Sequence, residues 1–306
     1  MSKPRILVTG ATGLIGRNVV RALRAFDVEI HAVSRSLARV SHDEDVYWHR
    51  ANLFDRAARA ELLDSSRPQT IIHCAWVTEH GVYWTSAENL EWVGCTLSLA
   101  REAHESGTVR FVGIGTCAEY EWGGDTPLSE ASTPLRPRTL YGVAKNATRD
   151  VLESFAAVSG LSFAWGRVAM LFGAGEHPDR FVASVAKALV AGEPAKMASG
   201  TAVRDFLDAR DVGAAIAALA MSGVRGAVNI ASGEPARLLT VAQKLASLAG
   251  RPDLLAVGAL PDRPDEPMSL CVEVARLQQE VGYRQSLTLD QGLGDALAYW
   301  RGRTAR

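Results

Sequence analysis

The 306-residue sequence has almost no excess charge: 33 lysines and arginines balance 34 aspartates and glutamates, for a net charge of −1. Proteins whose main partner is a nucleic acid or an anionic membrane surface carry a clear basic excess. The balance therefore excludes nucleic acid and membrane as principal partners, and any attraction for phosphate has to be local. The sequence also lacks a run of about 18 apolar residues, so it predicts no membrane-spanning helix.

Cysteine is scarce and unpaired in its spacing. The four cysteines form no CxxC motif, and no histidine is placed to complete a zinc ribbon with them; they are Cys74, Cys95, Cys117 and Cys271. This spacing excludes a zinc ribbon and is typical of free thiols in a reducing compartment. The opening segment, MSKPRILVTG, lacks the apolar region and cleavage site of a secretory signal. We therefore expect a cytoplasmic protein without a bound metal.

The first half of the sequence alternates short β-rich runs with helical patterns. Strands are predicted at 5–9, 28–34, 46–49, 69–75, 109–114 and 161–168, and helices at 14–26, 55–64, 86–105 and 140–158. Repeated βα units of this kind predict an α/β fold with a doubly wound parallel Rossmann sheet. Ligands of such sheets bind beyond the carboxyl ends of the strands.

After about residue 170, strands and helices no longer alternate regularly. Helices are predicted at 181–191, 211–221, 240–249 and 289–300, with short strands at 203–207 and 227–230. We predict a dinucleotide-binding Rossmann domain over residues 1–168 and a smaller α/β lobe over residues 169–306. The lobe is expected to bind the substrate, with some of its segments returning to the Rossmann domain.

A glycine-rich turn joins the first strand to the first helix. Residues 9–16 read TGATGLIG, with Gly10, Gly13 and Gly16 spaced three apart. Glycine makes up 27 of the 306 residues, so the spacing alone is weak evidence for a dinucleotide site. The stronger evidence is the position of the turn between a strand and a helix. Glycines there permit a tight turn and close backbone approach, and the helix N-terminus attracts a pyrophosphate. The turn predicts a dinucleotide site.

The end of the second strand indicates which dinucleotide is bound. NAD sites usually place an acidic side chain there, which accepts hydrogen bonds from the ribose 2′-hydroxyl. Here the residues are Ser34, Arg35 and Ser36. A guanidinium with neighbouring hydroxyls suits a 2′-phosphate. The sequence favours NADP(H); NAD(H) stays open, because Arg35 could instead be a solvated surface residue.

A tyrosine and a lysine stand four residues apart in the predicted helix 140–158. Tyr141 and Lys145 therefore share one helix face. A free phenol, with a pKa near 10, is a poor acid–base at neutral pH, and a nearby ammonium group lowers that pKa. Thr116, which follows a predicted strand, could polarise a substrate oxygen. These three residues are the predicted catalytic set; the alternative for the helix pair is an ordinary packing contact.

Four segments in order resemble one family. TGATGLIG (9–16), GTCAEY (115–120), YGVAK (141–145) and VRDFLDARDV (203–212) are similar to extended short-chain dehydrogenases/reductases of the NAD-dependent epimerase/dehydratase type, which modify nucleotide sugars. The resemblance covers nearly the whole chain. It implies that Tyr141 is the acid–base, that Lys145 activates it, and that Thr116, four residues before Tyr120, completes the site.

The turn, the strand ends and the resemblance together give the predicted binding residues. The dinucleotide contacts are Gly10, Thr12, Gly13, Leu14, Ile15, Gly16, Ser34, Arg35, Asn52, Leu53, Ala75, Tyr141 and Lys145. The substrate contacts are Thr78, Thr116, Arg204 and Arg263, and the resemblance assigns the two arginines to the diphosphate of a nucleoside-diphosphate sugar. Guanidinium forks suit phosphate geometry.

Three positions depart from the family pattern, and they limit the reactions that the sequence supports. Cys117 and Ala118 stand where 4,6-dehydratases of the family carry an Asp-Glu pair, so dehydration is disfavoured. Met170 stands where relatives often carry an asparagine that contacts the substrate. His177 is a weak candidate proton donor, since a lone loop histidine is usually solvated. Asp208 is interpreted as a residue that begins a helix.

These observations favour an NADPH-dependent reductase of a 4-keto-6-deoxy nucleoside-diphosphate sugar, with hydride transfer at C4. A nucleotide-sugar 4-epimerase that retains NAD is the alternative enzyme. A non-catalytic dinucleotide sensor and a carbonyl reductase of a non-sugar substrate also stay open. The helices predicted at 86–105 and 140–158 could pair across a four-helix homodimer interface, as the resemblance implies.

Overall fold

The computed structural model describes residues 3–37, 45–124, 126–263 and 266–304. Seven parallel strands form its central sheet: β1 (Arg5–Thr9), β2 (Glu29–Ser34), β3 (Val46–Arg50), β4 (Thr70–His73), β5 (Arg110–Thr116), β6 (Ser162–Val168) and β11 (Gly226–Ile230). Their order across the sheet is β11-β6-β5-β4-β1-β2-β3. The predicted doubly wound parallel sheet is confirmed, and β11 is a late segment that returns to it.

Helices cover both faces of this sheet, which is why its strands are apolar on both sides. The helices are α1 (Leu14–Leu23), α2 (Arg56–Ser66), α3 (Glu88–Glu105), α4 (Leu140–Ser159), α5 (Phe181–Ala191), α6 (Ala209–Met221), α7 (Leu238–Ala249), α8 (Ala275–Gln279) and α9 (Leu289–Thr304). In β1, Ile6 and Val8 pack beneath α1 and α6, whereas Leu7 faces the side of α3 and α4. Because successive side chains point to opposite faces, both faces of β1 are buried.

A smaller lobe follows β6 and has a core of its own. Its short strands are β7 (Met170–Phe172), β8 (Ala195–Met197), β9 (Val203–Arg204), β10 (Phe206–Asp208), β12 (Ala236–Arg237), β13 (Leu255–Val257) and β14 (Ser269–Leu270). They pair as β10-β7, β12-β9-β14 and β13-β8. The core, which includes Val185, Leu245 and Leu293, lies among α5, α7 and α9. The division at residue 168 between two domains stays a prediction.

Two predicted elements need correction. The strand expected at 203–207 is two strands, because the buried carboxylate of Asp205 accepts hydrogen bonds from the Ser232 and Gly233 amides and separates β9 from β10. The first helix ends at Leu23, not at residue 26, since the next turn closes with i→i−3 bonds to Ala22 and Leu23. Asp208 caps α6, as predicted.

Within the described ranges, no helix is both long and apolar enough to cross a membrane.

Candidate active site

One large cavity opens at the carboxyl ends of the central strands and extends to the smaller lobe. Its volume is about 1660 Å³, larger than the cavities of roughly 300–1,000 Å³ that hold one drug-sized ligand. It therefore has room for a dinucleotide and a second ligand. All predicted site residues line it: Gly10, Thr12, Gly13, Leu14, Ile15, Gly16, Ser34, Arg35, Asn52, Leu53, Ala75, Thr78, Thr116, Tyr141, Lys145, Arg204 and Arg263.

The glycine turn has the geometry of a pyrophosphate cradle. Gly10 adopts a left-handed φ of 62°, and a Cβ on Gly16 would stand 2.2 Å from the Gly10 carbonyl oxygen. Gly13 caps α1 without a side-chain hydrogen bond, and the first turn of α1 holds no acidic residue. The amides at this helix end are therefore free to bind an anion. The residues present fit a bound dinucleotide.

Beside this turn, the end of β2 carries hydroxyls and a guanidinium. The Thr12 Oγ1 and Ser34 Oγ atoms are 3.2 Å apart, and Arg35 is exposed. Among the described residues that line the cavity, the only carboxylates are Glu176 and Glu266, both in the C-terminal half. No described acid therefore stands where the ribose 2′-hydroxyl of NAD is usually bound.

A buried histidine joins the ends of β1 and β4. The His73 ring nitrogens lie 2.8 Å from Thr9 Oγ1 and 3.0 Å from Thr96 Oγ1, and Thr9 Oγ1 also accepts a hydrogen bond from the Ala75 amide. Burial lowers the pKa of His73 to about 3, so the ring is neutral at pH 7. His73 thus supports the strand ends that shape the cavity.

The predicted acid–base tyrosine is held at the start of α4. Thr139 caps this helix by accepting a hydrogen bond from the Gly142 amide, and the Tyr141 amide donates to the Trp84 carbonyl over 3.2 Å. The Tyr141 ring packs edge-on against Tyr83 and Trp84, with centroids 4.9 Å and 5.7 Å away. Aromatic rings therefore fix the position of the phenol beside the cavity.

Thr116 stands at the end of β5. Its hydroxyl accepts a hydrogen bond from the Ala118 amide over 3.2 Å, so its own proton points elsewhere. The Tyr141 hydroxyl lies within hydrogen-bonding reach of Thr116, and this contact opposes only part of the rise in the Tyr141 pKa that burial causes. The geometry supplies a donor pair at one edge of the sheet.

Lys145 is buried on the same helix. Its ammonium donates to the Ile114 carbonyl over 2.8 Å and lies 3.7 Å above the Trp76 ring centroid. Burial lowers the pKa of Lys145 to about 7. The lysine can therefore gain or lose a proton near neutral pH.

The surroundings of Tyr141 and Lys145 do not produce the expected change in the tyrosine pKa. Burial, with a smaller effect of Tyr83, raises the pKa of Tyr141 above its usual range. The Lys145 ammonium lies 5.9 Å from the Tyr141 ring centroid and is directed to Ile114. The prediction that Lys145 lowers the tyrosine pKa is wrong for this arrangement, because desolvation dominates. The phenol is held in its protonated form.

Sequence reasoning missed a buried ion pair behind Thr116. Glu119 has no exposed surface, and its carboxylate accepts hydrogen bonds from the Thr116 amide at 2.8 Å, Trp165 Nε1 at 2.9 Å and Arg167 Nε at 2.7 Å. The only available signal was a glutamate within the otherwise apolar strand-end segment GTCAEY. Charged side chains are almost never fully buried unless they are paired.

The two arginines predicted to bind a diphosphate lie in the same cavity but differ in burial. Arg204 is 1% exposed and donates to Glu266 Oε1 over 2.7 Å. Arg263 is exposed. Further along the wall, His177 stacks on His80 with ring centroids 4.8 Å apart. This part of the cavity is thus lined by arginine and histidine side chains together with Glu266.

The residues after Thr116 supply no acid. Cys117 is buried, and burial raises its pKa to about 12, so the thiol is neutral at pH 7. Ala118 has no ionisable group. An elimination of water that depends on an acid and a base at these two positions therefore has no support here.

The sheet, the glycine turn and the arrangement of Thr116, Tyr141 and Lys145 define a dinucleotide-dependent enzyme of the extended short-chain dehydrogenase/reductase type. Comparison with family models agrees: residues 6–231 match the NAD dependent epimerase/dehydratase family. The chain belongs to this family.

Individual relatives span most of the chain at low identity. A dTDP-glucose 4,6-dehydratase of Xanthomonas campestris is 23% identical over 96% of this chain and 92% of its own. A dTDP-6-deoxy-L-talose 4-dehydrogenase (NAD(+)) of Aggregatibacter actinomycetemcomitans is 26% identical over 78% of this chain and 88% of its own. Among solved structures, MoeE5 in complex with UDP-glucose and NAD is 28% identical with a TM-score of 0.82, covering 99% of this chain and 100% of that one.

Proposed function

We propose that the protein reduces the C4 carbonyl of a 4-keto-6-deoxy nucleoside-diphosphate sugar, with NADPH as the electron donor. The observation that carries the proposal is the site itself: Thr116 and a protonated Tyr141 stand beside the dinucleotide cradle, while Cys117 and Ala118 offer no acid–base pair for dehydration. A relative named for oxidation at position 4 of a 6-deoxy sugar nucleotide supports reaction at C4, although its name gives NAD(+) as the cofactor.

The chain's own residues would hold the cofactor. The α1 amides and the turn from Gly10 to Gly16 would bind the pyrophosphate, and Lys145 would contact the nicotinamide ribose. When bound, the reduced nicotinamide supplies the hydride. Ser34 and Arg35 would take the adenosine 2′-phosphate, because hydroxyls and a guanidinium stand there without a described carboxylate. NAD(H) remains the alternative.

The hydroxyls of Tyr141 and Thr116 would carry out the proton transfer. Reduction requires a group that gives a proton to the substrate oxygen, and burial keeps Tyr141 protonated for that role. Thr116 would orient the same oxygen, since its hydroxyl proton is not used by the Ala118 amide. Lys145, with a pKa of about 7, would exchange protons with its surroundings at neutral pH.

The substrate diphosphate would occupy the arginine side of the cavity. Arg204 and Arg263 would bind it, with Thr78 nearer the sugar. Glu266 now satisfies Arg204, so an incoming diphosphate would have to displace this carboxylate. Exchange of one anionic partner for another leaves the buried guanidinium paired throughout.

The second candidate is a nucleotide-sugar 4-epimerase that keeps its NAD bound. It would use the same Tyr141, Lys145 and Thr116, and the NAD bound to MoeE5, which is 28% identical, favours its cofactor. A non-catalytic sensor would not need the hydroxyl pair, and a reductase of non-sugar carbonyls would not need the two arginines.

The first experiment identifies the cofactor and then the substrate. Heat-released cofactor is identified, NADPH and NADH are titrated, and NADPH oxidation is followed with 4-keto-6-deoxy sugars on different nucleoside diphosphates. We expect exchangeable cofactor, NADPH preference and turnover. Tyr141→Phe should reduce kcat by about 10²–10⁴ with unchanged cofactor affinity, whereas Tyr299→Phe, at a half-buried tyrosine on α9 that does not line the cavity, should behave as wild type.

The possible outcomes separate the hypotheses. Tightly retained NAD with interconversion of C4 epimers would replace the reductase by the epimerase. Full turnover of Tyr141→Phe would refute the acid–base role. Cofactor binding without turnover of any carbonyl substrate would favour the sensor.

We also propose a homodimer. Exposed apolar side chains follow one another along α3 and α4, and they include Leu90, Val143, Val151 and Val158. Exposed apolar patches of this kind mark interaction surfaces, and a second copy of the same helix pair would bury them in a four-helix interface. Sedimentation equilibrium of the purified protein should give twice the chain mass.

A further inference from the structure

We infer that Glu119 is a positioning residue for the reaction: its buried carboxylate fixes Thr116 at the end of β5 and places a negative charge close to Lys145. The inference rests on the proposed function for the roles of Thr116 and Lys145. Glu119 itself has no exposed surface and cannot touch a substrate.

The two carboxylate oxygens of Glu119 have different partners. Oε1 accepts from the Thr116 amide and from Trp165 Nε1, and Oε2 accepts from Arg167 Nε. In return, the Thr116 hydroxyl caps the short 3-10 helix that contains Glu119, which makes a reciprocal capping box. Both the main chain and the side chain of Thr116 are therefore fixed by this one turn.

The strand beneath is shaped to admit this carboxylate. A Cβ on Gly115 would stand 2.1 Å from Trp165 Nε1 and 2.4 Å from Glu119 Oε1. Any side chain there would displace the hydrogen bond between the tryptophan and the glutamate. The sequence of β5 is thus matched to the buried acid.

Arg167 completes the support on the side away from the cavity. It is 2% exposed and donates from Nη1 to the Tyr120 hydroxyl over 3.1 Å, and that hydroxyl donates to Asn229 Oδ1 over 2.7 Å. Asn229 in turn donates to the Leu128 carbonyl. A fully bonded polar network of this kind rigidifies the groups that it contacts.

Glu119 also lies close to Lys145: Trp165 Nε1 donates to Glu119 Oε1 over 2.9 Å, and the Lys145 ammonium lies 5.9 Å from the Trp165 ring centroid. The other titratable groups that face this lysine are His73, Cys74 and Tyr141. All three are neutral at pH 7, because burial lowers the pKa of His73 to about 3, raises that of Cys74 to about 12 and raises that of Tyr141. Among the described groups facing Lys145, Glu119 is therefore the one that supplies negative charge, and it raises the pKa of Lys145 against the effect of burial.

The same charge acts on the tyrosine. Burial is the largest cause that raises the pKa of Tyr141, followed by Tyr83, and Glu119 adds to this rise, which favours the protonated phenol. One carboxylate thus favours both protonated groups, the ammonium of Lys145 and the hydroxyl of Tyr141. This is the charge state that donation of a proton to a carbonyl oxygen requires.

Glu119→Gln tests the inference, because glutamine keeps an oxygen for the Thr116 amide and removes the charge. Glu102→Gln is the matched control: it also breaks a carboxylate–arginine pair, with Arg59 at 2.7 Å, but between α2 and α3. In the double variant Glu119→Gln with Arg167→Met, no uncompensated buried charge remains, so it keeps the test valid if Glu119→Gln folds poorly.

A readout independent of turnover is tryptophan fluorescence between pH 5 and 9. The Lys145 ammonium lies over the Trp76 ring, so its deprotonation should change the emission near pH 7, and Lys145→Met should lack that transition. We expect the transition to move down by about one pH unit in Glu119→Gln and in the double variant. It should not move in Glu102→Gln.

In turnover assays, Glu119→Gln should lower kcat by about tenfold or more with little change in KM. The decline of kcat above pH 7 should begin at lower pH, because Lys145 loses its proton earlier. A fall in kcat with unchanged fluorescence and pH profile would mean that Glu119 is merely structural and would overturn the inference. If the wild type turns over no 4-keto sugar, the proposed function fails, while the fluorescence titration still decides on Glu119.

Discussion

Replacement of Gly16 by alanine should separate dinucleotide binding from the rest of the fold. Gly16 lies in the first turn of α1, where a Cβ would stand 2.2 Å from the Gly10 carbonyl oxygen, 2.8 Å from its carbonyl carbon and 2.9 Å from the Ala11 Cα. All three atoms belong to the main chain. They cannot rotate away as a flexible side chain would, so the turn or the helix has to move.

The size of the movement follows from the contact. Carbon and oxygen approach to about 3.3 Å in the closest common contacts, so the Gly16→Ala variant must open this gap by about 1 Å. Overpacking of this kind costs about 1–3 kcal/mol of stability. A misplacement of about 1 Å costs about 10²-fold where geometry is tightly set, which is about 2.8 kcal/mol of binding free energy.

The assay measures two quantities on the same variant: the dissociation constant for NADPH and NADH, and the free energy of unfolding in urea. Gly294→Ala is the control, since Gly294 lies in α9 and a Cβ there would meet nothing within 4 Å. This control should bind dinucleotide normally and gain about 0.5–1 kcal/mol of stability. Normal dinucleotide affinity in Gly16→Ala would refute the assignment of the turn as the pyrophosphate cradle.

Three other predictions follow from burial and exposure. Cys74 and Cys117 should react very slowly with a thiol reagent at pH 8 in the folded protein, because burial raises the pKa of each to about 12; rapid labelling of both would contradict this. Glu102→Ala should lower the free energy of unfolding by about 3 kcal/mol, because it leaves the buried Arg59 guanidinium without its carboxylate, and urea titration measures the loss. Val151→Asp should produce monomers in sedimentation experiments, since a charge would enter the proposed dimer face; an unchanged mass would place the interface elsewhere.

The pH dependence of stability offers a separate check on Lys145. Its pKa is about 7 in the folded protein, below the value near 10.5 expected for the unfolded chain. Between these two values the unfolded state binds more protons than the folded state, so the free energy of unfolding should rise with pH over this range. Comparison with Lys145→Met isolates this contribution, and identical slopes in the two proteins would contradict the assigned burial.

The sequence determined the parts of this protein that depend on local pattern. Apolar runs separated by helical periods predicted the parallel sheet, and a glycine turn between β1 and α1 predicted the dinucleotide cradle. Tyr141 and Lys145 share a helix face by spacing alone, and Thr116 follows from its place at the end of a strand. These features could be predicted because each is set by residues close together in the chain.

The tertiary structure decided what distant segments do to one another. Glu119 meets Trp165 and Arg167 only because β5 and β6 pair in the sheet. The pKa of Lys145 falls because residues from several elements bury it, and Arg204 pairs with a glutamate 62 positions away. Desolvation and ion pairing depend on three-dimensional proximity, and sequence spacing carries no measure of it. The reactive residues could thus be predicted from the sequence, whereas their charge states depend on the tertiary structure.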